Sequence, residues 1–161
     1  MLKKPLTIDA ATERAEAMCA RAEYSRAEVL KKLMSWGINS GKAGEIVDTL
    51  VDCGFIDDRR FALAFVNDKV ELARWGRRKI SVGLYQKGMS RDIINEAIDS
   101  IDEPAYRRNI AELIKIKGKS IESPGSFEGK NKILRFMMSR GFESGLVIKC
   151  LNNPKIWDEE D

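Results

Sequence analysis

Asp57-Asp58 is the first constellation in this 161-residue sequence with the makings of a chemical site. Adjacent carboxylates suit acid–base work or a hard cation, yet the chain contains no histidine to share a proton relay. The neighbours explain the pair differently. Gly54 follows an apolar-periodic run and suits the left-handed position after a helix, and Asp57 can accept from the free amides that start the next one. With Asp57 as cap, Ile56 and Phe61 fall at the spacing of a hydrophobic staple, and Asp58 complements the helix dipole. The capping reading is favoured over a catalytic or metal site. Cys19, Cys53 and Cys150 are odd in number and show no C-x-x-C spacing, so they are expected to be reduced core thiols. A Gly-rich phosphate loop, a metal-ligand cluster and a nucleophile beside a base are all missing from the sequence pattern. The expectation is a protein without catalysis, metal or cofactor, and without a small-molecule substrate.

The remaining chemistry is cationic. Residues 59–91 carry nine Lys and Arg against two Asp and Glu, and residues 107–140 nine against three, while the flanking segments are net acidic. A solvated face explains one charge run; two at repeating positions point to an anionic partner. Arg77-Arg78-Lys79 is the most informative group, because it opens a helix whose N-terminal dipole disfavours cations. The residues assigned to a partner surface are Arg59, Arg60, Arg74, Trp75, Arg77, Arg78, Lys79, Lys87, Arg107, Arg108, Lys130, Lys132, Arg135 and Arg140. Trp75 reads equally well as core or as interface anchor. On this view, changing Arg77, Arg78 and Lys79 together to Glu leaves the fold intact while weakening the partner complex.

The elements that position these residues are helices throughout. Ala11, Ala15, Met18, Cys19 and Ala22 mark a first helix over residues 8–23. Ser25-x-x-Glu28 is a capping box opening a second through Val29, Leu30, Leu33 and Met34 to Gly37, and Ile46, Val47, Leu50 and Val51 form a third ending at Gly54. Asn39 to Gly44 reads as a loose linker, Gly118 to Gly129 as a loop, and Asp158 to Asp161, beyond Asn153-Pro154, as a frayed acidic tail. The pattern repeats when registered on Gly37, Gly88 and Gly141. Eight residues before each stand Val29, Ile80 and Ile133; four before, Leu33, Leu84 and Met137; directly after, Ile38, Met89 and Phe142. The structural joints are therefore Gly37, Gly54, Asp57, Phe61, Gly88 and Gly141. The predicted fold is all-α, three tandem three-helix repeats over residues 10–54, 55–102 and 103–153 with an acidic tail at 154–161. Together they are expected to form an elongated, curved, right-handed or solenoid-like array.

Helix, glycine turn, helix is also the outline of a DNA-reading helix-turn-helix. A recognition helix lies between rows of phosphates and needs cationic or amide side chains outward. Here the helices after the turns carry Glu45, Asp48 and Asp52, then Asp92, Glu96 and Asp99, then Glu143 against a single Lys149. Major-groove reading is disfavoured, and a helical protein acting on DNA directly remains the alternative.

Ser25-x-x-Glu28-Val29-Leu30-x-x-Leu33, Gly54-Phe55-Ile56-Asp57-Asp58-x-Arg60-Phe61-Ala62, Gly76-x-Arg78-x-Ile80 through Gln86-Lys87-Gly88, and Lys132-x-x-x-Phe136 through Arg140-Gly141-Phe142 follow one another in fixed order. On these motifs the chain resembles the RecX family, bacterial regulators of the RecA recombinase, over about residues 10–152. The resemblance implies an all-helical, cytoplasmic, non-catalytic modulator without a cofactor. Such a protein binds the RecA filament on single-stranded DNA and represses its ATP hydrolysis, strand exchange and co-protease activity, so regulating recombination, repair and the SOS response. The sequence departs from the family at Arg77, where a proline usually opens the helix, and in the linker Asn39 to Gly44. No apolar run has the length of a membrane span, and the opening residues lack a signal-peptide stretch, which agrees with the cytosol.

Overall fold

The computed structural model describes residues 4–158, and all regular structure in them is helical. Nine α-helices run in order: α1 Ile8–Arg21, α2 Arg26–Ser35, α3 Ser40–Asp52, α4 Asp58–Glu71, α5 Arg77–Gln86, α6 Arg91–Asp99, α7 Glu103–Gly118, α8 Phe127–Ser139 and α9 Ser144–Leu151. Their boundaries follow local chemistry. Side chains of Thr7, Ser25, Asn39, Asp102 and Ser126 each accept from a backbone amide three residues on, satisfying a donor that the first turn leaves free. Ser90 does the same for Ile93 at 3.3 Å, and Asp57 for Arg60 at 3.1 Å. Gly37, Gly54, Gly88 and Gly141 all take positive φ between 80° and 91°, the conformation that lets the chain leave one helix and re-aim for the next. The apolar register is equally plain in burial. Val29, Ile80 and Ile133 are fully buried, as are Leu33, Leu84 and Met137, while Ile38, Met89 and Phe142 are at most 7% exposed.

The chain divides into two compact units. One comprises residues up to Phe65 together with Leu84–Ala97, and the other comprises Val66–Gly83 together with residues from Ile98 onward. The first has a core of Ala11, Ala15, Val29, Leu33, Leu50 and Ile56 among others; the second is built round Tyr106, Ile110, Ile114, Ile133, Met137 and Phe142. The first and third triplets each lie within one unit, and the residues of α4, α5 and α6 are divided between the two.

Three local expectations are corrected. Asn39 to Gly44 is no loose linker: Asn39 accepts from the Lys42 amide at 2.9 Å, and α3 runs through Gly41 and Gly44. The α7–α8 loop is shorter than its glycines suggested, since Gly118 closes α7 and Phe127 to Gly129 belong to α8. Ahead of the acidic tail, Pro154–Trp157 forms a 3₁₀ turn with Ile156 5% exposed, and a methyl on Gly118 would stand 2.6 Å from the Trp157 ring. Of the acidic tail, Glu159 to Asp161 lie outside the described residues. Cys53 is exposed rather than in the core, and Cys19 and Cys150 are half-buried. Burial raises both of those thiols, with Glu23 adding to the effect at Cys19, which keeps them protonated and unreactive.

Candidate partner-binding surface

Most of the cations read as partner contacts are already engaged within the protein. In the first unit, Arg59 pairs with Glu96 at 3.1 Å and Lys87 with Glu28 at 3.4 Å. Arg60 reaches Glu23 at 2.5 Å and donates to the Gly54 carbonyl at 3.2 Å, so it closes the turn after α3 as well as pairing a charge. Asp58 acts at a distance that spacing does not disclose. Its carboxylate accepts from the Arg26 amide at 2.9 Å, so a residue at the start of α4 caps α2, whose own cap is Ser25.

The second unit holds the clearest correction. Arg77 does not present its charge to solvent: its side chain is 21% exposed, pairs with Glu143 at 2.9 Å and with Glu103, and stacks on the Tyr106 ring at 4.0 Å. The Tyr106 hydroxyl donates to Glu143 and accepts from the Arg77 amide at 3.0 Å. Burial, reinforced by the hydrogen bond to Glu143, pushes the phenol well above its ordinary range. Burial opposes the Arg77 charge, but bonds to Glu143 and Glu103 outweigh it and hold the guanidinium firmly protonated, while Arg77 in turn depresses the Glu103 carboxyl. The anion that a cationic helix start demands is thus supplied by the starts of α7 and α9. Placing Glu at position 77 would set three carboxylates together, which argues that a triple reversal disturbs the fold it was expected to spare.

Other cations of this unit are engaged too. Arg74, at φ 51°, pairs with Glu112 at 3.1 Å, Arg107 with Glu103 at 3.1 Å, and Arg140 donates to the Ala73 carbonyl. Lys130 lies 3.4 Å from the Asn152 side-chain oxygen. Trp75 is neither core nor bare anchor, since it is half-buried with Lys69 and Lys79 each 4.5 Å from its ring. Arg78, Arg108, Lys132 and Arg135 are exposed. Lys132 and Arg135, with Lys117, Ile121 and Phe136, line a concavity of about 400 Å³. Lys117, absent from the sequence-based set, sits 4.9 Å over the Phe136 ring; its only signal was a place in the basic last turn of α7. Among the described residues, no group of three His, Cys, Asp or Glu could hold a metal, and no helix is long and apolar enough to cross a membrane.

Residues 57–98, which take in α4, α5 and nearly all of α6, match the family model of the RecX second three-helix domain. The regulatory protein RecX of Clostridium tetani is 34% identical over 117 residues, and that of Clostridium botulinum (strain Eklund 17B / Type B) is 32% identical over 136 residues. The chain belongs to the RecX family. The alignments take in 71% and 81% of the chain but 53% and 63% of those two proteins, so the chain spans less than two thirds of the length of these RecX relatives. The Acinetobacter baylyi RecX is 26% identical, with 84% of this chain and 82% of that protein aligned. The fold agrees: the crystal structure of RecX from Lactobacillus salivarius superposes with a TM-score of 0.80 at 22% identity, covering 88% of this chain and 92% of that one.

Proposed function

We propose that this RecX-family chain binds the nucleoprotein filament of the RecA recombinase and lowers its ATP hydrolysis, strand exchange and co-protease activity. The repeats at 10–54, 55–102 and 103–153 form the scaffold of this reading. The observation that carries it is a division among the cations: six of the thirteen, Arg59, Arg60, Arg74, Arg77, Lys87 and Arg107, pair with carboxylates, whereas Arg78, Arg108, Lys132 and Arg135 lie exposed on the second unit with no ion pair to a carboxylate among the described residues. A cation held in water without an internal partner costs the free protein little and gains most when a phosphate or carboxylate reaches it. Direct reading of duplex DNA is disfavoured, because the helices after the glycine turns remain acidic and two of their carboxylates, Asp48 and Glu96, are tied to Arg26 and Arg59.

The test is the variant Arg78→Glu/Lys132→Glu/Arg135→Glu, titrated against recombinase ATP hydrolysis on single-stranded DNA. The expected result is a half-effective concentration raised at least about tenfold, roughly 1.4 kcal/mol, with helical content unchanged. Regulation equal to the parent's would remove these residues from the contact surface. Binding to bare single-stranded DNA across a salt series separates the alternative, since a direct DNA ligand would hold without recombinase and weaken steeply with salt.

A further inference from the structure

The concavity between the end of α7 and the face of α8 is not only cationic. Lys132, Arg135 and Phe136 share one side of α8, at the three- and four-residue spacings that make helical neighbours, while Lys117 sits in the last turn of α7 and Ile121 just beyond it. Ile121 and Phe136 are half-buried and pack against the core of this unit, so the concavity of about 400 Å³ has an apolar floor beneath a cationic rim. None of Lys117, Lys132 and Arg135 pairs with a carboxylate among the described residues, although Glu122 stands on the same rim. A space of this size, within the range of about 300–1,000 Å³ usual for ligand clefts, takes a short stretch of an anionic chain.

Two anionic polymers could supply that stretch, and the floor separates them. Single-stranded nucleic acid gains its hold in basic grooves by stacking bases on open aromatic faces. Phe136 is not such a face: the Lys117 ammonium and the Arg140 guanidinium already stand 4.9 Å and 5.7 Å from its ring centre, and the ring packs on the core. Glu122 would also oppose a continuous row of phosphates, whereas a peptide amide can donate to it. An acidic peptide uses both parts of the concavity. Its carboxylates match the arginine fork and the lysine ammonium groups, and an apolar side chain between them covers the floor.

We infer that the α7–α8 concavity binds an acidic peptide segment of a protein partner, with an apolar side chain on Ile121 and Phe136 and flanking carboxylates on Lys117, Lys132 and Arg135. This rests on the reading that Lys132 and Arg135 face the partner, and it assigns their contact to protein carboxylates rather than to DNA phosphates. The probes are a fluorescein-labelled, end-capped peptide Asp-Asp-Leu-Glu-Asp-Leu-Glu-Glu, the same peptide with Ser in place of Leu, and a labelled heptathymidylate of matching charge, each titrated with the full chain and followed by anisotropy. The Leu peptide should bind at least about tenfold more tightly than the other two probes, because only it fills the floor. Lys132→Ala/Arg135→Ala should weaken it at least about tenfold. Lys31→Ala/Lys32→Ala, an equal loss of charge at exposed positions of the first unit, should change it less than about twofold. No binding of the Leu peptide at about 1 mM, equal binding of the Ser peptide, heptathymidylate as tight as the Leu peptide, or equal losses in the two double variants would each overturn the inference. Because no recombinase is present, such a failure refutes the acidic-peptide assignment alone; the reading that these residues touch the filament is refuted separately, by regulation that survives their reversal to Glu.

Discussion

Replacing Arg77 with Ala separates a structural cation from an interface cation. Three contacts disappear together: the pair with Glu143, whose side chain is 27% exposed, the pair with Glu103, which is 48% exposed, and the stacking on Tyr106. A hydrogen bond between charged groups is worth about 1.5–3 kcal/mol when sheltered, and the Glu143 contact qualifies. The wetter Glu103 pair adds about 0.5 kcal/mol and the ring contact about as much. The sum is close to 3 kcal/mol, or a fall of about 8 °C in Tm for a chain of this size. Arg78→Ala, at the next and exposed position, should shift Tm by no more than about 2 °C. Acid should shrink the difference between parent and Arg77→Ala. Folding favours the ionised Glu103 because Arg77 holds its carboxyl below the ordinary value of 4.5, so this part of the stability is complete above pH 4.5 and is lost as pH falls through the lower folded-state value. Paired thermal melts of both variants from neutral pH downward provide the measurement. Equal Tm shifts for Arg77→Ala and Arg78→Ala, or a gap indifferent to acid, would refute the assignment.

Asp58→Ala should cost about 1 kcal/mol in urea denaturation by stripping the Arg26 amide of its acceptor, and Asp58→Asn should recover most of that, since an amide oxygen also caps. Gly76→Ala should destabilise by about 3 kcal/mol or more, as its methyl has only backbone to meet. Gly44→Ala, inside α3 with nothing within 4 Å of the added carbon, should stabilise by about 0.5–1 kcal/mol in the same assay.

The helices were legible because their signals are local. Ser25, Asp57 and Asp102 announce caps within three residues, and Gly37, Gly88 and Gly141 put the buried apolar positions in register. The surface was harder to read for a physical reason. Whether a cation is free depends on acids far away in the chain: Arg77 meets Glu143 across 66 residues, and Arg60 meets Glu23 across 37. Net charge by segment located the basic blocks without telling neutralised members from open ones. The departure from the family's proline at Arg77 looked like charge added to a contact face, and its acids at the starts of α7 and α9 show it to be an internal tie. Pro5 and Pro124 carried no periodic signal at all, because their contacts with Gly37 and Gly129 exist only once the fold is in place.

The interleaved composition of the two compact units sets an order of events during synthesis. The first unit takes residues up to Phe65 and then Leu84–Ala97, with eighteen residues of the other unit, Val66–Gly83, passing between. A nascent chain halted after α3 has its first three helices but lacks Asp58 to cap α2 and Lys87 to pair with Glu28. Vectorial folding therefore cannot complete the leading unit until Ala97 has left the ribosome, and by then Val66–Gly83 is already exposed and waiting for helices not yet translated.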